Sequence, residues 1–171
     1  MKTITAAEVL EGLGQAELRT LSTFGALSDA AVVNLLERGD IKMRAKGEVV
    51  TLEKAYMASF FVVLTGDIAY YRHCEGRDVL TRHFRCGEQM GFDNMIGMRP
   101  CSGVEVATEQ SLVLEISSDQ FFQFHIDYPA DFGLLMINLA RELSREIAML
   151  EEVIGNSTGW EAMDQRSEAG L

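Results

Sequence analysis

FFVVLTGDIAYY, residues 60–71, is the stretch on which the fold turns. SFFVVL (59–64) and DIAYYR (67–72) are both rich in β-branched and aromatic residues, and Gly66 stands between them where the chain turns. Working outward, the same texture recurs in EVVTL (48–52), DVLTRHF (78–84), GVEVAT (103–108) and SLVLEI (111–116), with Gly47, Gly76 and Gly87 at junctions. Short strands at this regular spacing, from about Ile41 to Ile116, predict an antiparallel roll, barrel or sandwich.

The flanks are helical in period. Thr5 with Glu8 fits a capping box, and Val9, Leu10, Leu13, Leu18 and Leu21 follow at helical spacing, weakened by Gly12 and Gly14. A second helix is expected from Ser28 through Val32, Val33, Leu35 and Leu36 to a stop at Gly39. After the strands, Ser118 is the expected cap of a short helix carrying Phe121, Phe122 and Phe124, and Pro129 opens the longest helix. There Phe132, Met136, Leu139, Leu143, Ile147, Leu150 and Ile154 form one apolar stripe, with Arg141, Glu142, Arg145, Glu151 and Glu152 largely off it. The stripe is longer than the strands can cover. Beyond Gly155 the chain is polar and aperiodic, a mobile tail in which Trp160 is the one candidate anchor.

The chain has 171 residues, the size of a single core, with 47% hydrophobic and 24% charged residues, a globular profile. Fifteen basic against twenty-six acidic residues give a net charge of −11, which repels a phosphate backbone and argues against nucleic acid. Arg77, Arg82 and Arg85 form a sparse basic run of the kind expected on a solvated face. Cys74, Cys86 and Cys101 match neither a disulfide framework nor a metal knuckle, so reduced thiols in the cytoplasm are expected. The N-terminus lacks a secretory pattern, and no apolar run is long enough for a membrane span. His73 beside Cys74, and His83 near Cys86, lack a paired metal motif; no metal is expected, and no catalytic constellation stands out.

Helices, roll, short helix, long helix is also an order of elements with a known likeness. FGALSDAAVVNLLERG, KGEVV (46–50), FFVVLTGDIAYY (60–71) and CGEQMGFDNMIGMRPCSGVEV (86–106) resemble, in order and spacing, the cyclic-nucleotide-binding domain family of catabolite activator proteins and kinase regulatory subunits. The resemblance covers about residues 24–153 and implies a mainly β fold: an antiparallel β-roll with N-terminal helices and a long C-terminal helix. It divides the chain into an N-terminal extension (1–23), the domain (24–154, its roll about 41–116 and its C-terminal helices about 118–154) and the tail (155–171).

The family's phosphate-binding cassette reads approximately FGE(L/I)AL followed by PR(S/T)A. There a short helix offers its first amides to the cyclic phosphate, an arginine neutralises it, and a glutamate accepts from the ribose hydroxyl. The matching stretches here are MGFDNMI and PCSG. Gly91 is kept, Ser102 and Gly103 match the small residues, but Phe92 stands at the glutamate position and Cys101 at the arginine position. Losing one such buried partner costs about 2–5 kcal/mol, so ordinary binding of cAMP or cGMP is expected to be lost. Two rescues stay open, Asp93 one residue from the lost glutamate and Arg99 two before Cys101. Phe92 either fills the sugar site or is a core ring in a decayed pocket.

The expectation is therefore a non-enzymatic regulatory or adaptor protein with no cofactor, whose polar tail is too short for a DNA-binding domain. It would act through protein contacts, with self-association as a homodimer along Leu139, Leu143, Ile147 and Leu150. The alternative is a sensor of a cyclic nucleotide or another small anion in a rewired pocket lined by Gly91, Phe92, Asp93, Asn94, Arg99, Cys101, Ser102 and Gly103.

Overall fold

A computed structural model describes residues 2–157, so the expectations placed on Trp160 and most of the tail lie outside the described residues. Strand β1 (Lys2–Ile4) is followed by helices α1 (Ala6–Leu13) and α2 (Gln15–Leu18), a 3-10 turn (Ser22–Phe24) and α3 (Asp29–Arg38). The roll comprises β2 (Asp40–Arg44), β3 (Val49–Thr51), β4 (Ser59–Thr65), β5 (Asp67–Cys74), β6 (Arg77–Arg85), β7 (Gln89–Met90), then helix α4 (Phe92–Ile96), β8 (Gly103–Ala107) and β9 (Ser111–Ser117). Helices α5 (Ser118–Asp127) and α6 (Pro129–Ser157) close the described chain.

Two antiparallel sheets face each other, one in the order β1-β2-β9-β4-β7 and the other β3-β8-β5-β6. This is the mainly β roll with flanking helices that the strand spacing and the family resemblance predict. One detail differs: β4 and β5 do not pair with each other, because at Gly66 the chain crosses from one sheet to the other.

The run in β4 is continuously apolar because both of its faces are buried. Phe60, Val62 and Leu64 point to a cluster under the helices with Leu36, Leu114, Phe124 and Leu139, while Phe61 and Val63 point into the roll with Ile68, Phe84, Met90 and Val113. The helices thus pack on the outside of one sheet, and the space between the sheets has its own smaller core.

Three expectations need correction. The first helix ends at Leu13, because Gly14 adopts φ +77°, and α2 restarts after it; Leu18 and Leu21 still reach the core. Helix α5 is capped by Ser117, whose hydroxyl accepts from the Gln120 amide while the Gln120 side chain takes the Ser117 amide, so Ser118 is its first helical residue. Helix α6 continues past Gly155 to Ser157.

Candidate functional site

The cassette runs from β7 through α4 to the start of β8. Gly91 turns the chain into α4 with φ +79°, a left-handed conformation that favours glycine. The first helical amide, that of Phe92, donates to Oε1 of the chain's own buried Gln89 at 3.2 Å. An amide of the type the family offers to phosphate is therefore satisfied internally.

Phe92 is only 2% exposed and packs away from solvent, edge-on to Phe60 (centroids 5.5 Å apart) and Phe121 (5.9 Å), a favoured aromatic geometry. Of its two readings the structure favours the core ring. Cys101 is buried, its amide donating to the Ala55 carbonyl at 2.9 Å and its own carbonyl accepting from the Lys54 amide at 2.8 Å. Burial, with Glu105 and Asp93 nearby, pushes its thiol up to about 11, so it carries no charge at neutral pH.

Asp93 and Arg99 meet each other, at 3.5 Å and largely exposed. Asn94, Asp93, Arg99 and Ser102 line one cleft beside the cassette. Ser102 bonds at 3.0 Å to the hydroxyl of Tyr70, a residue the sequence reading did not select. A Cβ at Gly103 would stand 2.7 Å from the Tyr70 ring and 2.2 Å from the Tyr71 carbonyl, so glycine there is what lets the tyrosine lie across the start of β8. Burial raises the Tyr70 hydroxyl above its ordinary value and keeps it protonated.

Paired in register with Tyr70 is Glu105, also unselected, 4% exposed and accepting from the Thr51 hydroxyl at 2.5 Å. Burial in the roll is the main cause that pushes its carboxyl up to about 7; the Thr51 bond opposes the shift and Asp93 adds to it. The residual cavity here is about 40 Å³, and its charged lining residues are Asp93, Glu105 and Glu146. It is far smaller than the 300–1,000 Å³ typical of small-molecule sites.

Helix α6 is fastened over this region by polar contacts. Glu142, expected off the apolar stripe, is buried and accepts from the hydroxyls of Ser22 (2.6 Å) and Thr23 (3.2 Å) and from the Gln89 amide (2.9 Å). Arg82, expected on a solvated face, lies 4.5 Å over the Phe84 ring with its guanidinium 2.5 Å from Glu146. Leu139, expected on the self-association stripe, is fully buried in the core and cannot contact a second copy. Leu143 is partly buried, and Ile147 and Leu150 are 57% and 50% exposed. His73 and His83 each contact a carboxylate, Asp78 at 3.0 Å and Asp67 at 2.6 Å.

Comparison with known proteins places this geometry. No curated protein matches the chain in sequence. Among solved structures, a cyclic nucleotide-binding domain from Methylobacillus flagellatus superposes with a TM-score of 0.78 at 16% identity, covering 94% of this chain and 92% of that one. The Thermus thermophilus catabolite activator protein gives a TM-score of 0.68 at 18% identity over 80% of this chain, which spans 63% of that protein's length. The c-di-GMP-responsive global regulator of Xanthomonas campestris gives 0.70 at 12% identity, covering 78% of this chain and 66% of that one. These likenesses are of fold. The model of the cyclic nucleotide-binding domain family matches residues 42–128, half of the sequence, and on that match the chain belongs to the cyclic nucleotide-binding domain family.

Proposed function

We propose that this domain is a non-enzymatic regulatory module whose cyclic-nucleotide pocket is closed and which works through protein contacts. One observation carries the reading: the cavity beside Gly91 is only about 40 Å³, and the charged residues lining it are the acids Asp93, Glu105 and Glu146, where a bound cyclic phosphate requires positive charge. Cys101 at the arginine position is neutral, Phe92 at the glutamate position faces the core, and the Phe92 amide is taken by Gln89. Arg99 does not line this cavity and lies 3.5 Å from Asp93, which does, so the cassette's one arginine faces a carboxylate of this chain.

For the contacts themselves, the second half of α6 offers Leu143, Ile147 and Leu150 along one stripe, and the partner we propose is a second copy of this chain. Thermal unfolding with millimolar cAMP and cGMP tests the closed pocket. A ligand present at 100 times its Kd stabilises by about 2.7 kcal/mol, which raises the Tm of a chain this size by roughly 5–10 °C. No shift is expected. A shift of that size with either nucleotide, lost in Arg99→Ala, overturns the reading.

A further inference from the structure

Glu105 of β8 is a carboxyl held where a negative charge has little support. It is 4% exposed, and its one hydrogen bond among the described residues is the one it accepts from the Thr51 hydroxyl. No cation among the described residues forms an ion pair with it: Arg82 lies 2.5 Å from Glu146, Arg99 lies 3.5 Å from Asp93, and Arg72, two residues beyond its register partner Tyr70, makes no such contact. We propose that Glu105 is a proton-operated latch for the cassette: neutral, it lets α4 close over the roll, and ionised, it drives α4 and the loop after it outward. The latch rests on the closed nucleotide pocket argued above, and gives a domain without a nucleotide a chemical input of its own.

What faces the same cavity from each neighbouring element is either neutral or acidic. α4 presents Asp93 and Asn94, α6 presents Glu146, β5 the protonated Tyr70, β6 the Phe84 ring and β7 the Gln89 amide, while β3 supplies the Thr51 hydroxyl. Arg99 and Arg82, the partners of Asp93 and Glu146, do not line it. A charge on Glu105 therefore meets two others across a space of about 40 Å³, which admits too few waters to hydrate it. A buried carboxylate in such a setting stays neutral or gains access to water.

Of the elements around the cavity, α4 is the one that gives. Only Phe92 of its five residues is buried, and no residue from Asp93 to Pro100 is. α6, by contrast, is fixed by Leu139 in the core and by the buried Glu142. Movement of α4 about Phe92 carries Asp93 away from Glu105 and admits water. The direction with pH follows from burial, which pushes the carboxyl up to about 7: the closed form holds the proton more tightly than an open, hydrated one. Closure is strongest below the ordinary value of 4.5 and weakens as pH rises through about 7.

Amide hydrogen exchange of the full chain at pH 6 and pH 8, corrected for the intrinsic effect of pH, tests the latch. The Met95, Gly97 and Arg99 amides, which donate to the Gly91, Asp93 and Asn94 carbonyls, are expected to lose about tenfold in protection between the two, the step for a carboxyl that titrates near 7 closed and 4.5 open. At both pH values they are expected to be less protected than the amides of β4 and β9, which marks a local opening and not unfolding of the chain. Glu105→Gln is expected to hold its α4 protection across the same range. In the parent chain the carboxyl carbon of Glu105 is expected to titrate with a midpoint near 7, a readout that needs no variant. A midpoint below about 5, unchanged α4 protection in the parent, an equal step in Glu105→Gln, or α4 amides that exchange only together with β4 and β9 overturns the latch. Saturable cAMP binding at either pH would instead overturn the closed pocket, so the two failures are distinguishable.

Discussion

Glu105 shows how one side chain sets the character of the pocket. Its folded pKa, about 7 against an ordinary 4.5, means the native state holds this proton more tightly than the unfolded chain does. Stability attributable to this group therefore falls as pH rises from about 4.5 through 7, by about 3 kcal/mol at 1.36 kcal/mol per unit. Glu105→Gln keeps an oxygen for the Thr51 hydroxyl and removes the ionisation. Urea unfolding across pH 5–8 is expected to show the variant gaining on the parent chain toward pH 8 and matching it near pH 5; parallel profiles would mean Glu105 ionises at little cost. This carboxyl escapes a pattern reading because in β8 the apolar Val104 and Val106 look like the inward residues. The sheet instead buries Gly103, Glu105 and Ala107, leaving the valines half-buried. Tyr70 was equally hidden, since its place depends on Gly103, a residue more than thirty positions away.

At the scale of elements, the decisive contacts are polar ones between α6 and the loops it crosses. Glu142→Ala leaves the buried Gln89 amide without its acceptor, while the Ser22 and Thr23 hydroxyls keep the Gly87 carbonyl, and is expected to cost about 1–3 kcal/mol. Glu142→Gln, which keeps one acceptor oxygen, is expected to cost less in the same urea titration; equal losses would place the energy in packing. The strands were legible because β4 and β9 bury apolar side chains on both faces and so read as unbroken runs. Strand β1 was not, being three residues long and paired to β2 nearly forty residues onward. The helix stripe was legible in period, yet period alone does not say which half meets the core: Leu139 is buried, while Ile147 and Leu150 face outward. Glu142 and Arg82 were misplaced because charge suggests solvent, and each has found specific partners instead.

For the whole molecule, the proposal of a closed nucleotide site makes α6 the proposed element through which a partner acts. Ile147→Asp with Leu150→Asp is expected to turn a dimer into a monomer in sedimentation velocity without changing the Tm by more than a degree or two, because both positions are exposed. A parent chain that sediments as a monomer at high micromolar concentration would set self-association aside. The burial of Phe92 and Cys101 was not legible in the sequence, nor were Tyr70 and Glu146, which line the neighbouring cavity from β5 and from α6 across the fold.

Isothermal titration calorimetry of the full chain with cAMP and cGMP at neutral pH tests the closed pocket most directly. No saturable heat up to millimolar nucleotide is predicted for the parent chain, and none for Arg99→Ala. A saturable isotherm with Kd below the millimolar range, abolished in Arg99→Ala, would contradict it and make this domain a working nucleotide sensor with a rebuilt anchor.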